Sequence, residues 1–501
     1  MKYFFNTHVF QFVATGARWG SGYYSAPSAP ASSPVSYFSV IMADLPDGYW
    51  PLNETTGSTA VNYASTSTPY DGTYTGGIVK GVSALIEDVG TYAVRLDGVN
   101  DTITTTNNIF LFERTDKFAI ELHVIISSLA STTYLAGNVD VAGTNRGWQL
   151  LYNTTGNFFT LLRNTSTSND LLVSPKEYLT TGVLYHLAMS YDGTSAPSGI
   201  HQFINGVEQV TSTLRNSLSA TIVNGSNQFI IGNTANRARS HNGVIDQVAV
   251  YSSTITDFTV RNHYAIGKGY ASASYPFQVI TDGAIGYWQL DETSGSTAYS
   301  EVNIGVDGEY RSGVTLNVST PIAGSVGARF DGTNDRIGFG DVFDFERTDS
   351  FSFELNFMLS TLATTTLLSK ASATAGDRRG YSLNAKSTGE VGIILRNINS
   401  TNDIVLYSNT KIVAGAWTHL IVTYNGNSDV SGINMYFDSV KSTTSTVRNG
   451  LSATILTSAS CTFFADQIGT TPFNGIADDV AIYATVLTSA QASSHYIAAT
   501  T

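Results

Sequence analysis

Apolar residues recur at every second position in the most regular stretches of this chain. Phe118, Ile120, Leu122, Val124 and Ile126 alternate with Ala119, Glu121 and His123, and Phe351, Phe353, Leu355, Phe357 and Leu359 repeat the pattern further on. Successive side chains of a strand point to opposite faces, so this period predicts strands with one face in a core. Residues 185–191 and 418–424 read as strands of the same kind. Ile204-Asn205-Gly206-Val207 predicts a hairpin, because Asn-Gly readily takes a type I′ turn; the later Phe437-Asp438-Ser439-Val440 lacks the favoured Gly. Helical pattern is scarce. Thr256 is placed to cap a short helix to Tyr264, and Thr488 one to Tyr496. Many strands separated by turn signals predict an all-β chain built as sandwiches.

The pattern occurs twice. Phe112-Glu113-Arg114-Thr115-Asp116 returns as Phe345-Glu346-Arg347-Thr348-Asp349, and Gly48-Tyr49-Trp50 as Gly286-Tyr287-Trp288. Leu96-Asp97-Gly98 returns as Phe330-Asp331-Gly332, and Asn242-Gly243-Val244-Ile245-Asp246 as Asn474-Gly475-Ile476-Ala477-Asp478. The order is constant and the offset drifts only between 238 and 232 positions. A solenoid repeat has a period of roughly 20–50 residues, so the duplicated unit is a whole domain. The copies run over 37–267 and 275–501, and the joint at 268–274 is short enough to keep them close together.

Ahead of the first copy lies a segment that the second copy does not have. Residues 1–24 hold eight aromatics: Tyr3, Phe4, Phe5, Phe10, Phe12, Trp19, Tyr23 and Tyr24. Residues 25–36 carry Pro27, Pro30 and Pro34 among Ala and Ser, which predicts an extended linker. A bare apolar segment implies burial against a partner, so 1–24 is expected to be an anchoring arm. Met1 to Phe5 starts like an export leader, but Asn6, Thr7, His8 and Gln11 break the apolar run, and no cleaved leader is expected.

Composition narrows the function classes. Charged residues make up 13% of the 501, and the net charge is −13, which argues against a nucleic-acid partner. No apolar run reaches the roughly 18 residues of a membrane helix, so no membrane partner is expected. Cys461 is the single cysteine and leaves no intrachain disulfide to place.

Each copy resembles a laminin-G-like, concanavalin A-type jelly-roll domain. The residues that carry the resemblance in the first copy are Tyr49-Trp50-Pro51-Leu52 with Glu54, Arg95-Leu96-Asp97-Gly98, Tyr185-His186-Leu187, Phe203-Ile204-Asn205-Gly206 and the run from Gly243 to Tyr251. Tyr287-Trp288, Arg329-Phe330-Asp331-Gly332, Trp417-Thr418-His419-Leu420 and the run from Gly475 to Tyr483 carry it in the second. The resemblance implies two tandem antiparallel β-sandwiches with a short N-terminal arm. It does not fix function, because this fold hosts carbohydrate binders, adhesion modules, spacers and hydrolases.

Three candidate chemistries follow. Hydrolases related to this family carry Glu and Asp two residues apart on one strand; Glu121 and Glu354 stand alone on theirs, so no enzyme is expected. Asp97, Asn100 and Asp101 cluster on a turn, as do Asp331, Asn334 and Asp335, and these are the candidate calcium ligands. The competing reading is turn chemistry, since Asp and Asn bond their own backbone. Trp148 and Tyr381 follow Arg146-Gly147 and Arg379-Gly380 and could stack on a sugar, but the alternation Trp148, Leu150, Tyr152 points them inward. His186 and His419, in mid-strand, read as satisfied core histidines, and Asp246 and Asp478 as carboxylates that serve nearby backbone.

Together these features predict a non-enzymatic virion surface protein, a phage capsid decoration, fibre or tail component. The opening Tyr37-Phe38, Val40, Asp44, Pro46 and Gly48-Tyr49-Trp50 resembles that of such domains in phage structural proteins. Residues 1–24 would join other virion proteins, the sandwiches would meet host surface glycans, and self-association as a trimer is the expected assembly. The alternative is a secreted or cell-surface bacterial adhesin that binds glycans.

Overall fold

A computed structural model describes residues 35–500 apart from 65–69, 89–90, 106–108, 141–145, 166–167, 224–226, 235–238, 323–324 and 375–377. The aromatic arm and most of the linker therefore lie outside the described residues.

The predicted sandwiches are present in both copies. In the first, an eight-stranded sheet runs in the order Val207–Glu208, Ile200–Ile204, Leu184–Tyr191, Phe118–Ile126, Asn242–Tyr251, Tyr92–Asp97, Val79–Ser83, with Gly48–Trp50 also paired to Asn242–Tyr251. Against it lies a nine-stranded sheet, from Thr211–Asn216 through Asn169–Pro175, Phe158–Thr165, Gly147–Tyr152, Thr133–Asp140, Asn227–Ile231, Thr102–Thr105 and Gly72–Thr75 to Thr59–Ala60. The second copy repeats both orders strand for strand. The described pairings are antiparallel, and the predicted alternation fills the space between the sheets: Phe118, Ile120, Leu122, Val124 and Ile126 join one core, Phe351, Phe353, Leu355, Phe357 and Leu359 the other.

The opposite face of these central strands differs from the expectation of a strand buried on one side. Ala119, Glu121 and His123 are buried as well. Helices cover that face: α1 (Tyr37–Ala43) and α2 (Asp257–Gly267) on the first copy, α3 (Tyr275–Thr281) and α4 (Ser489–Thr500) on the second. The predicted caps hold, since Thr256 Oγ1 accepts from Thr259 N at 3.1 Å and Thr488 Oγ1 from Gln491 N at 3.2 Å. The shorter α1 and α3 were not predicted. Each begins at a serine cap, Ser36 and Ser274, and packs Tyr37 and Ile41, or Tyr275, Val279 and Ile280, inward. The hairpin without glycine turns like the one with it: Asp438 and Ser439 have φ of 49° and 68°, against 51° and 80° for Asn205 and Gly206.

The copies pack on each other through α2 and α3. Tyr264 and Ala265 share one apolar cluster with Tyr275, Val279 and Ile280. Lys268 Nζ lies 2.9 Å from Glu301, and the Tyr270 hydroxyl reaches Gln289 at 2.9 Å and Glu301 at 3.0 Å. The short joint thus continues into a packed interface.

Candidate functional site

Glu121 and Glu354 are alone along their strands but not in space. Glu121 projects from mid-strand toward the helices. His186, on the neighbouring strand, approaches it through Nε2 at 3.0 Å. His263, from α2, places Nδ1 3.0 Å from both carboxylate oxygens and Nε2 2.8 Å from Asp44. The Tyr251 hydroxyl donates to the same carboxylate. The second copy rebuilds the arrangement with Glu354, His419 at 2.7 Å, His495 at 3.0 Å, Asp282 at 2.8 Å and Tyr483 at 2.6 Å. There the Tyr275 hydroxyl also donates, at 2.9 Å.

Burial would keep His263 and His495 uncharged, but the facing carboxylates outweigh it. His263 is raised to about 9 by the Glu121 charge and the Asp44 hydrogen bond, and His495 to about 10 by Glu354 and Asp282. Burial also works against the charged form of Glu121 and Glu354, yet the imidazolium beside each and the histidine hydrogen bonds hold them well below the usual carboxylate range. Each copy thus buries an ion pair that ties its C-terminal helix to its sheet. The set resembles a catalytic or metal-binding trio in composition alone. Both oxygens of each glutamate are engaged inside the protein, and the glutamates, His263 and His495 are 0% exposed. It works as a clamp. The signal for its missing member was the pair His263-Tyr264 and His495-Tyr496, the only identities between the two aligned helices.

The acidic turns adopt turn chemistry. Asp101 Oδ2 accepts from Asp97 N at 2.8 Å, and Asp97 Oδ1 from Val99 N at 2.8 Å. Asp335 Oδ2 accepts from Asp331 N at 3.0 Å, and Asp331 Oδ1 from Thr333 N at 2.7 Å. Asn100 and Asn334 sit exposed beside them. Oδ1 of Asp101 and of Asp335 is buried without a hydrogen-bond partner. Among the described residues no group of three or more His, Cys, Asp or Glu is arranged to hold a metal ion. A calcium ion takes six to eight oxygens, so either turn would need carbonyls, amides or water beside its carboxylates to hold one.

Trp148 and Tyr381 are core residues. The indole donates to the Phe110 carbonyl at 3.0 Å and the phenol to that of Phe343 at 2.9 Å. Asp246 accepts from Leu85 N at 2.9 Å, as expected. Asp478 instead takes the hydroxyls of Thr320 and Ser325, at 2.7 and 3.1 Å.

The open outer face of the nine-stranded sheet is where the copies diverge. In the first its central patch is apolar: Leu151, Phe159 and Leu161 pack together with Tyr134 and Leu172 beside them. In the second, strand register places Thr366 where Tyr134 stands, Asn384 for Leu151 and Gly392 for Phe159. A groove of about 330 Å³ opens there, lined by Thr366, Ser382, Asn384, Arg378, Arg396 and Tyr407 among others. Tyr407 lies over Gly392, where an added Cβ would come within 2.3 Å of its ring. Lys386 Nζ sits 3.4 Å from the ring centroid. Asp403 holds the Arg396 and Arg448 guanidiniums at 3.2 and 2.7 Å, as Asp170 holds those of Arg163 and Arg215 in the first copy. The groove thus offers hydroxyl, amide and guanidinium groups around one aromatic ring. None of these positions was singled out from sequence, although the switch from Leu151 to Asn384 is visible once the repeats are aligned.

Residues 97–261 and 331–493 each match the family model described as concanavalin A-like lectin/glucanases superfamily. No curated protein sequence matches the chain. Among solved structures, the chain is similar to domain 4 of AbnA, an extracellular arabinanase from Geobacillus stearothermophilus in complex with arabinotriose, at 18% identity over 43% of this chain and 97% of that one, TM-score 0.29. It is also similar to domains LG4-5 of the mouse laminin alpha1 chain, at 11% identity over 83% and 92%, TM-score 0.24. The binding domain of Paraclostridial Mosquitocidal Protein 1 matches at 12% identity over 80% and 92%, TM-score 0.36.

Proposed function

The chain belongs to the concanavalin A-like lectin/glucanases superfamily, once in each half, and from that premise we propose that it is a non-enzymatic glycan-binding protein whose second copy holds the sugar. The observation that carries this reading is the polar groove on the outer face of the second nine-stranded sheet. A sugar offers hydroxyls that donate and accept, and C–H faces that rest on a ring. Specific pockets meet such ligands with a few placed polar groups beside an apolar surface. Asn384, Ser382, Thr366 and Arg378 supply the polar groups, and Tyr407 the ring. The buried glutamates offer no acid or base to a substrate, which supports the non-enzymatic part of the reading.

A glycan array probed with the full chain tests this. Binding should be present in the wild type and lost in Asn384→Leu and in the pair Gly392→Phe with Tyr407→Ser, which imposes the first copy's surface on the second. An array signal unchanged by both variants would remove the groove from the account.

The aromatic arm favours a display role: a virion surface protein, attached through residues 1–24 with the sandwiches turned to a host surface. The support is the arm's composition, its position outside both repeats and the Pro-rich segment that follows. Ser36 caps α1, so a truncation should keep Val35 onward. Chain lacking residues 1–34 should fold, yet fail to join particles. Normal incorporation would end the anchoring role, and a processed N-terminus on native protein would favour a secreted adhesin.

A further inference from the structure

A cleft of roughly 610 Å³ lies where the two copies meet, and its walls come from both. Its lining includes two imidazoles of the first copy's sheet, His123 and His186, which are 3% and 1% exposed. Their rings stack with centroids 4.7 Å apart. A carboxylate only accepts, so His186 Nε2, 3.0 Å from Glu121, donates to it. Nδ1 of His186 and Nδ1 of His123 are buried without a hydrogen-bond partner. Burial, with the neighbouring His186, holds His123 well below the usual imidazole range, so its ring keeps one acceptor nitrogen. Buried polar groups are rarely left unpaired, and both of these Nδ1 atoms belong to residues of the lining.

The rest of the lining has the same polarity. Glu177 comes from the first copy and Asp307 from the second. The loop carrying Asp307 approaches closely: a Cβ on Gly305 would lie 2.4 Å from Glu177 Oε2. Tyr178 and Tyr299 offer rings that are 55% and 59% exposed. Lys268 is the one lysine or arginine in the described lining, and Glu301 already holds it at 2.9 Å. Carboxylates and aromatic faces together suit a ligand that is cationic and donates several hydrogen bonds. The volume falls in the range of small-molecule pockets, about 300–1,000 Å³.

We propose that the junction between the two copies is a second binding site, distinct from the groove, for a small ligand bearing primary ammonium groups. A free alkyl diamine and an amino sugar share this chemistry. A tandem arrangement makes the site, because neither copy alone supplies both Glu177 and Asp307.

Calorimetric titration of the full chain tests it with two probes, cadaverine and the unacetylated glucosamine disaccharide. Binding of either supports the site, and the tighter probe identifies the source. Acetylating the amines should weaken binding by about tenfold or more, as should Glu177→Gln and Asp307→Asn, each of which removes a charge-assisted contact. Circular dichroism confirms that the variants fold. Absence of binding by both probes at millimolar concentration, equal binding of the acetylated forms, or undiminished binding by both variants would overturn the proposal. Tyr407→Ser should leave amine binding unchanged; if it abolishes that binding, the cleft is not the site. Failure of the cleft leaves the glycan reading of the groove intact, because that reading is scored on a separate array.

Discussion

Phe159 in the first copy and Tyr407 in the second fill equivalent space on the outer face of the nine-stranded sheet, from different strands. Ser174 stands at the first copy's equivalent of Tyr407, and Tyr407 lies over Gly392. Around the first ring are Leu151 and Leu161; around the second are Asn384, Ser382 and Thr366. Beneath these opposite surfaces both copies keep the same clamp of glutamate, two histidines, tyrosine and aspartate. The lesson is a division of labour within one fold. Residues that tie helix to sheet are held fixed, because a buried charge tolerates no loss of its partner. An outer face can change polarity freely, because solvent meets it in either case.

The largest effect should come from breaking the clamp. His263→Ala or His495→Ala leaves a buried carboxylate short of its cation and should cost about 3–5 kcal/mol, read from urea unfolding of each variant. Equal losses in the two copies would confirm that the clamps are equivalent. A loss below about 1 kcal/mol, the range of surface ion pairs, would show that the buried pair is not what holds the helix.

The groove swap comes next. Gly392→Phe with Tyr407→Ser should abolish glycan binding yet shift the unfolding free energy by only about 1 kcal/mol, since volume is conserved across the strand pair. A large destabilisation would mean that the two faces are not interchangeable packings.

pH separates the copies more finely. His263 and His495 are raised from 6.5 to about 9 and about 10. Their contribution is fully present below the ordinary imidazole value and is lost as pH rises through the raised one, so the first copy should weaken first on the alkaline side. On the acid side only the first copy has His123, with Asn356 in its place in the second. His123 is depressed, so its contribution is present above about pH 6.5 and lost as pH falls, by about 1.4 kcal/mol per pH unit at most. His123→Asn should remove that share of the acid sensitivity and leave the share of His241, which burial lowers to about 4 and which Phe473 replaces in the second copy. Identical acid profiles for wild type and variant would show that His123 does not differ between folded and unfolded chain.

Calcium should have the smallest effect. With one oxygen of each turn aspartate already accepting a backbone N–H group, millimolar calcium should move melting by no more than about a degree in either copy. A larger rise, abolished by Asp101→Asn or Asp335→Asn, would return these turns to the list of metal sites.

Much of the fold was legible because its signals are local. The inward set Phe118 to Ile126 follows from the two-residue period of a strand, and Thr256 and Thr488 could be read as caps because a cap bonds a backbone amide three residues on. The hairpins followed from Asn205-Gly206 and its degraded partner. The shorter helices α1 and α3 escaped notice because seven residues barely span two turns, too few for a helical period to show.

The clamp was not legible, and neither was either candidate site. Glu121 meets His263 across 142 positions and Asp44 meets His263 across 219. No local period encodes such a meeting. It exists because sheet order places the strand of Glu121 beside that of His186 and beneath α2. The groove depended on which residues of each strand face outward, and the cleft on how one copy seats against the other. By itself, then, the sequence determined the duplication, the strands, the inward faces and the helix caps, all set by backbone geometry over a few residues. Only the tertiary structure decided which carboxylate gained a cation, which face stayed open and what the two copies enclose, because those outcomes depend on contacts between segments remote along the chain.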